Sequence, residues 1–334
     1  MHPTDNPEGI RTLLNIPVNK MSQPLYPSFT PTYHHSQYPA IDPTQAHLDC
    51  SDKLILVTGA GSGIGEAIAT AFSKAHAKGI VLLGRNEATL QSTATKIAAE
   101  SDKTEVLVVR ADITSREQVH AAFTKITDHF NAATDVLINN AGGLLAFGAV
   151  ADIDIGGFWK THELNVLGPL IVTEAFIRAA KASVQPDARR VIINIPSGSA
   201  HIPYAPTAVA YSTSKLANAK VLEYVHFEHP GWLAVNLQPG VVATELARKA
   251  GRKAPDDPNL PAGMAVWLAA DSRAEVLNGK FVWANWDVDE LLVRKDEIRE
   301  KGLLNLGLIG WADGISPEDL IGRARSVHRD ADKK

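Results

Sequence analysis

Short runs of apolar and β-branched residues recur along the chain, separated by longer stretches with a different hydrophobic period. The runs predict seven strands, at 53–58, 80–84, 106–110, 135–139, 191–195, 233–237 and 279–284. Intervening stretches such as 66–77 and 116–130 space apolar residues three and four positions apart, which is typical of helices that pack on a sheet. Strands that alternate with helices favour parallel pairing. The pattern therefore predicts a single doubly wound α/β domain with a seven-stranded parallel sheet.

Residues 1–50 break this pattern because they hold eight prolines, too many for a continuous helix or a central strand. We interpret 1–50 as a Pro-rich N-terminal arm, 51–290 as the α/β domain and 291–334 as a C-terminal helical extension and tail. Met21 offers a second start inside the arm, and the sequence leaves open which methionine is used. We expect the residues before Met21 to be dispensable, because they carry little apolar surface to bury.

Two adjacent histidines, His34 and His35, raise the question of a metal site in the arm. A closed site needs a third ligand at a fixed offset, and the Pro-rich sequence around them offers none. We therefore favour a solvated arm at these positions, and we expect no resident metal.

Composition and charge exclude several classes of protein. The formal net charge is −4, which gives no electrostatic footprint for nucleic acid. No apolar run reaches the roughly 18 to 20 residues that span a bilayer, and the first residues do not resemble a signal peptide. Cys50 is the only cysteine, which points to a reducing compartment. We therefore expect a cytoplasmic protein without nucleic-acid or membrane partners.

A glycine-rich segment, Thr58-Gly59-Ala60-Gly61-Ser62-Gly63-Ile64-Gly65, ends the first predicted strand and begins the first predicted helix. Glycine lets the backbone turn tightly and approach a pyrophosphate, which then meets the free N–H groups of the helix. Such a turn can also simply connect a strand to a helix, but its place after the first strand favours nucleotide binding. The predicted cofactor contacts in this turn are Gly59, Ser62, Gly63, Ile64 and Gly65.

With this turn, the sequence resembles the short-chain dehydrogenase/reductase superfamily, whose pattern there is Thr-Gly-x-x-x-Gly-x-Gly. The resemblance continues over about residues 53–284, and 279–291 is similar to the variety of this superfamily common in fungi. It implies a Rossmann domain for dinucleotide binding and catalysis, and an oxidoreductase that uses NADP. It also implies a homodimer or homotetramer built through two long central helices.

The resemblance further assigns residues to the cofactor and catalytic sites. Asp112 and Ile113 follow the third strand, where the family contacts the adenine. The family motif at the end of the fourth strand is matched by Asn139, Asn140, Ala141 and Gly142. The loop after the sixth strand, which holds the nicotinamide amide, is matched by Pro239, Gly240, Val242 and Thr244. The implied catalytic residues are Asn165, Ser197, Tyr211 and Lys215, the last two of which also contact the cofactor.

The four-residue spacing of Tyr211 and Lys215 supports their predicted role on physical grounds as well. Residues four apart on a helix share one face, so the lysine ammonium can lie near the phenol. At roughly 4 Å and an effective dielectric constant near 20, a unit charge contributes about 4 kcal/mol, or about 3 pKa units. We therefore expect Lys215 to draw the pKa of Tyr211 from about 10 towards about 7, where a phenol works as a general acid or base.

Carbonyl reduction needs a proton donor and an orienting hydroxyl on one oxygen. We assign Tyr211 as the donor and Ser197 as the orienting group, with Asn165 holding a water that continues the proton path from Lys215. The family usually has its serine thirteen residues before the tyrosine. In this chain Gly198 stands at that position, and the nearest hydroxyls belong to Ser197 and Ser199, fourteen and twelve residues before the tyrosine. Counting forward from the fifth strand favours Ser197 over Ser199.

The end of the second strand predicts the cofactor. An acidic side chain there accepts hydrogen bonds from the ribose 2′-hydroxyl of NAD, whereas an arginine attracts the 2′-phosphate of NADP. The sequence has Gly84 where NAD-preferring members carry Asp, and Arg85 follows. An ordinary surface arginine is the alternative interpretation of Arg85. We expect NADPH to be preferred over NADH.

The predicted function is therefore interconversion of a ketone or aldehyde and an alcohol on a small organic substrate by hydride transfer, with Tyr211 as general acid or base. One alternative is a non-catalytic NADP(H)-sensing regulator on the same fold, which would be expected to lose Tyr211 or Lys215. Another is a serine hydrolase at Ser197 or Ser199, but neither lies in a Gly-x-Ser-x-Gly elbow. The segment 241–262 lies where the superfamily builds its substrate lid, and the sequence does not name the substrate or the direction of reaction.

Overall fold

A single parallel sheet forms the centre of the protein in the computed structural model, which describes residues 27–101, 103–202, 207–243 and 254–308. The strands are Leu54–Thr58 (β1), Gly79–Gly84 (β2), Glu105–Arg110 (β3), Val136–Asn139 (β4), Val191–Asn194 (β5), Leu233–Gln238 (β6) and Phe281–Trp283 (β7). They lie side by side in the order β3-β2-β1-β4-β5-β6-β7, and each neighbouring pair is parallel. The predicted seven-stranded, doubly wound α/β fold is confirmed.

Helices cover both faces of this sheet. Within the described residues they are Gly63–Lys74 (α1), Glu87–Glu100 (α2), Arg116–Phe130 (α3), Ile155–His162 (α4), Gly168–Ala182 (α5), Val209–Glu228 (α6), Asn259–Ala270 (α7), Val288–Val293 (α8) and Lys295–Glu300 (α9). Side chains of β1 alternate between two cores: Ile55 and Val57 pack with α1, α2 and α7, whereas Leu56 packs with α3, α5 and α6. Burial on both faces is why the strands are continuous apolar runs in the sequence.

The order in which successive strands are added to the sheet reverses between β1 and β4, which are parallel neighbours although β2 and β3 lie between them in the sequence. Helices and loops leave the sheet on opposite sides of this point, so a crevice opens at the carboxyl ends of β1 and β4. Ligands of doubly wound sheets bind in such a crevice. The glycine-rich turn follows β1 and the Asn139–Gly142 motif ends β4, so the predicted motifs meet there.

Residues 27–50 pack against the domain. Ile41 and Leu48 are fully buried in the core with α1 and α7, and His34 hydrogen-bonds the backbone of Asn285 and lies 2.9 Å from the Asp287 carboxylate. The expectation of a solvated arm is therefore wrong at His34, which finds partners near β7, whereas the His35 side chain is 47% exposed although its ring contacts Asp256. Met21 and the residues before it lie outside the described residues.

The described part of the chain contains no helix long and apolar enough to cross a bilayer. It also contains no group of three side chains of the kinds that commonly bind metals. Cys50 is buried, and burial raises the pKa of its thiol to about 12.

Candidate active site

The turns after β1 and β4 are joined by hydrogen bonds from Thr58 and Asn140. The Thr58 hydroxyl accepts from the backbone N–H groups of Asn140 (3.0 Å) and Ala141 (3.1 Å), and it donates to the Ile138 carbonyl (3.2 Å). In return, Nδ2 of Asn140 donates to the Thr58 carbonyl at 2.9 Å. These bonds fix the glycine-rich turn against the Asn139–Gly142 motif, so the floor of the crevice is preformed.

The glycine-rich turn leaves the first turn of α1 accessible. Gly65 packs so closely that a Cβ there would lie 2.3 Å from the Gly59 carbonyl oxygen and 2.5 Å from Nδ2 of Asn140. Ser62 precedes the helix, and its side chain makes no capping hydrogen bond to it. Ser62 and Gly63 are exposed, and Ile64 is half-buried. The N–H groups and positive end of α1 therefore face the crevice, as a pyrophosphate requires.

The ends of β2 and β3 carry opposite charges. Asp112 accepts hydrogen bonds from the backbone N–H (2.9 Å) and the hydroxyl (2.8 Å) of Thr114. Burial acts to raise the pKa of Asp112, but the Thr114 hydrogen bonds and the charge of Arg85 lower it overall. Arg85 itself is exposed beside this carboxylate. The next predicted contact residue, Ile113, packs against the backbone of Gly168 at the start of α5.

Tyr211 lies in the first turn of α6, and the Ser197 side chain beyond β5 lies close enough to its phenol to lower the pKa of that group. Burial raises the pKa of Tyr211 to about 12, against the lowering effect of the Ser197 side chain. The phenol is therefore fully protonated at neutral pH and ready to donate.

Lys215 lies one turn further along α6 and is buried. Its Nζ donates to the Ile195 carbonyl at 2.9 Å and is 5.7 Å from the centre of the Tyr211 ring. Burial lowers the pKa of Lys215 to about 8. The expectation that the lysine draws the pKa of Tyr211 towards about 7 is wrong for this structure, because burial is the largest influence on the pKa of each group and raises that of the phenol.

The two candidate serines have different partners. Ser197 lies close enough to the Tyr211 phenol to lower its pKa, whereas Ser199 donates its hydroxyl to Ser197 at 3.1 Å. Between them, a Cβ at Gly198 would lie 3.3 Å from the ring of Trp283, tighter than most such contacts. A side chain at Gly198 would therefore press on the Trp283 ring.

Asn165 lies in a π-helical turn, Glu163–Leu167, between α4 and α5. Its side chain pairs with the backbone of Gly143, accepting at 2.8 Å and donating at 2.7 Å, and also donates to Ser214 at 3.0 Å. The backbone carbonyl of Asn165 accepts a hydrogen bond from Nδ2 of Asn218 at 2.7 Å. Asn165 thus ties the segment after β4 to α6, while its role in holding a water stays a prediction.

Gly142 lies against the side chains of both Asn165 and Lys215. A Cβ there would lie 2.9 Å from Oδ1 of Asn165 and 3.1 Å from Nζ of Lys215. The last residue of the motif after β4 therefore packs against the lysine and the asparagine, and the sequence-predicted residues of β4, α5 and α6 converge at one point.

Buried polar residues at the ends of β4, β5 and β6 did not figure in the sequence interpretation beyond Asn139. Asn139, Asn194 and Asn236 are paired across the sheet in register. Asn139 donates to the Thr173 hydroxyl, and Asn194 donates to Asn236, each at 2.8 Å. Asparagine at the end of three strands is the signal that could have identified this row.

The loop after β6 is held by two further side chains that the sequence interpretation missed. The backbone N–H of Gly240 donates to Gln238, and that of Val241 donates to the Asp256 carboxylate. Val242 pairs with Asp256 as an isolated parallel bridge. Pro239 precedes this loop, while Thr244 and part of the expected lid, 244–253, lie outside the described residues.

Comparison with known proteins identifies the family of this chain. A family model described as short chain dehydrogenase matches residues 53–255. The chain is 33% identical to the short chain dehydrogenase mpl6 of Monascus purpureus over 285 residues, covering 83% of this chain and 94% of that protein. It is also 33% identical over 284 residues to the short chain dehydrogenase andI of Emericella variicolor, covering 82% and 94% respectively.

Solved structures with the same fold include a short-chain type dehydrogenase/reductase from Mycobacterium marinum. It superimposes with a TM-score of 0.64 at 26% identity, over 72% of this chain and 96% of that chain. A Pseudomonas aeruginosa structure described as an RhlG/NADP active-site complex has a TM-score of 0.64 at 22% identity, over 72% and 97%. At that identity the second likeness shows the fold alone.

Proposed function

The chain belongs to the short-chain dehydrogenase/reductase family and is an oxidoreductase, and on that premise we propose that it is NADP(H)-dependent and interconverts a ketone or aldehyde with an alcohol. The observation that carries this proposal is the approach of the Ser197 side chain to the Tyr211 phenol, with Lys215 on the next turn of α6. Two hydroxyls that already meet can converge on one carbonyl oxygen.

In this proposal each residue has a separate task. Ser197 orients the carbonyl oxygen, and Tyr211 donates its proton to that oxygen as the alcohol forms. Charged Lys215 stabilises the phenolate left on Tyr211, and Asn165 holds the segment after β4 in place. The bound nicotinamide supplies the hydride, or accepts it in the reverse direction. The uncapped start of α1 and the close approach of Gly65 to Gly59 fit a pyrophosphate there.

NADPH oxidation by the purified protein tests this proposal against a panel of ketones, aldehydes and quinones. We expect at least one carbonyl compound to be reduced with matching consumption of NADPH. Lys215→Met serves as the inactive reference, so that slow, uncatalysed oxidation is subtracted. If wild-type protein and Lys215→Met oxidise NADPH at the same rate with every carbonyl compound in the panel, the assignment of the site is contradicted.

The pH profile is a second expected result. The pKa of Lys215 is lowered to about 8, so the lysine is charged below that pH and neutral above it. We expect kcat/KM for NADPH, which reports on the free enzyme, to fall about tenfold per pH unit above about 8. Lys215→Arg, whose guanidinium stays charged over this range, should lack this break. A profile that stays flat between about pH 6 and 10 would exclude lysine titration from the reaction.

Cofactor preference is proposed to rest on Arg85. The exposed guanidinium beside Asp112 can pair with a 2′-phosphate, and a hydrogen bond between charged groups contributes about 1.5 to 3 kcal/mol. Gly84→Asp combined with Arg85→Ala should raise the Kd for NADPH by about ten- to a hundredfold and lower that for NADH. A Cβ at Gly84 would lie 3.4 Å from Leu90, an ordinary contact, so the aspartate fits.

Calorimetric titration of both cofactors measures this change. Arg189→Ala is the matched control, because Arg189 is a surface arginine paired with Glu275, beyond the opposite end of β5. Wild-type protein that binds NADH as tightly as NADPH would show that Arg85 is an ordinary surface residue.

We also propose a homodimer or homotetramer in a cytoplasmic, reducing environment. The outer surfaces of α5, its preceding turn and α6 expose apolar side chains, namely Leu167, Leu170, Leu216 and Tyr224, with exposed fractions of 43–61%. Contact between such surfaces on two copies would bury them. The buried Cys50 thiol suits a compartment in which thiols stay reduced.

A further inference from the structure

Asp256 is a buried carboxylate that the proposed reaction does not use. Only 4% of the residue is exposed, and its two oxygens have different partners. Oδ2 accepts from the backbone N–H of Val241, and Oδ1 lies 2.5 Å from Nδ1 of His35. Because a carboxylate only accepts hydrogen bonds, the His35 ring nitrogen is the donor. Asp256 thus bridges the loop after β6 and the N-terminal arm.

The loop that Asp256 holds has little freedom. Gly240 has φ +89°, a left-handed conformation that favours glycine, and a Cβ there would lie 2.5 Å from Oδ2 of Asp256. The carboxylate therefore lies directly against the Gly240 backbone. Gln238 accepts from the Gly240 N–H on the other side, so this peptide is fixed between two side chains.

His35 is itself held firmly in place. Its carbonyl accepts from the Asp257 backbone N–H at 2.8 Å. The preceding residue, His34, exchanges hydrogen bonds with Asn285, each at 2.8 Å, and lies 2.9 Å from Asp287. The arm is therefore anchored beyond β7 on one side and presents the His35 ring to Asp256 on the other.

We propose that His35 and Asp256 are positioning residues for the nicotinamide end of the cofactor. His35 partners the buried Asp256 carboxylate, which in turn fixes the backbone of Gly240 and Val241. Without that partner, desolvation drives the carboxylate towards solvent, and its hydrogen bond to Val241 is lost. This inference rests on the proposed function, together with the family resemblance that assigns the loop after β6 to the nicotinamide amide.

Two ligands separate positioning from general stability. NADPH contains the nicotinamide, whereas 2′-phospho-ADP-ribose carries the same adenosine and phosphate groups without it. For His35→Ala we expect the Kd for NADPH to rise about tenfold, as for one lost hydrogen bond to a charged group, and the Kd for 2′-phospho-ADP-ribose to stay within about twofold. Calorimetric titration of the full chain gives both values.

Two variants serve as controls. His35→Asn puts an amide N–H close to the position of Nδ1, so it should keep the NADPH affinity within about twofold of wild type. His34→Ala removes the contact with Asp287 from the same arm but leaves the His35–Asp256 pair, so the ratio of the two affinities should not change.

The outcomes are distinguishable. Equal weakening of both ligands in His35→Ala, or no change in either, overturns the positioning role while leaving the proposed function intact. A failure of His35→Asn to restore NADPH binding also overturns it. Wild-type protein that binds NADPH no more tightly than 2′-phospho-ADP-ribose shows that this loop adds no affinity for the nicotinamide and overturns the positioning role, whereas wild-type protein that binds neither ligand overturns the proposed function.

Discussion

Tyr211→Phe is expected to lower turnover of a carbonyl substrate by at least about a hundredfold, the low end for loss of a general acid. The substitution keeps the ring and its packing in the first turn of α6 but removes the hydroxyl that Ser197 contacts. NADPH should still bind, because the glycine-rich turn and Arg85 are unchanged. Steady-state kinetics at saturating NADPH, with calorimetric titration of the cofactor, measure the two effects separately.

Tyr224→Phe is the matched control for this experiment. Tyr224 lies on the same helix, but 61% of it is exposed, and it faces away from the site. It should keep wild-type turnover. If Tyr211→Phe also keeps near-parental turnover on a substrate that the wild-type protein reduces, Tyr211 is not the proton donor.

Ser197→Ala is expected to lower kcat by about a hundredfold, whereas Ser199→Ala should change it less than about fivefold. Removal of one preorganised donor to a reacting oxygen costs about a hundred- to a thousandfold in other enzymes. Ser197 meets Tyr211 directly, while Ser199 meets only Ser197 in this group, at 3.1 Å. Ser199 can therefore influence the reaction only through its neighbour.

The two serine variants are compared by kcat and KM on the same carbonyl substrate. Each removes one hydroxyl from the same short turn, so each controls for the other. A larger loss for Ser199→Ala than for Ser197→Ala would reverse the assignment and make Ser199 the orienting hydroxyl.

The sheet could be predicted because its strands are buried on both faces. Leu54–Thr58 is buried throughout, and so is the equivalent run of every strand from β4 to β7. Continuous apolar runs of that kind stand out in a sequence. Helix ends were less visible: α1 ends at Lys74, not at 77, because His76 adopts a left-handed conformation without being a glycine.

The N-terminal arm makes long-range contacts that local sequence patterns do not predict. Prolines correctly exclude long regular elements there, and the described part of the arm has short 3₁₀ turns at Pro39–Ile41 and Ala46–Leu48. Its packing depends on partners more than 200 residues away, such as Asp256 for His35. No periodicity or spacing in the sequence encodes such contacts.

The candidate active site also combines features that the sequence predicts with features that it does not. Spacing alone brought Tyr211 and Lys215 to one helix face, and strand ends brought Asn140 and the glycine-rich turn together. The direction of the Tyr211 pKa shift was predicted wrongly because it depends on burial, which helix spacing does not reveal. Gln238 and Asp256 were missed because their role is to fix a backbone loop, and side chains of that kind form no motif.

Transfer of deuterium from [4,4-²H₂]NADPH, labelled at both C4 positions so that either hydride carries the label, to a carbonyl substrate tests the central claim most directly. The reaction is run with wild-type protein and with Tyr211→Phe, and the alcohol is analysed by mass spectrometry. We expect the wild-type product to carry one deuterium on its carbinol carbon, with equal consumption of NADPH, and we expect the variant to form at most about one hundredth as much. A product that forms without deuterium, or a wild-type protein that binds neither NADPH nor NADH, would contradict an NADP(H)-dependent oxidoreductase.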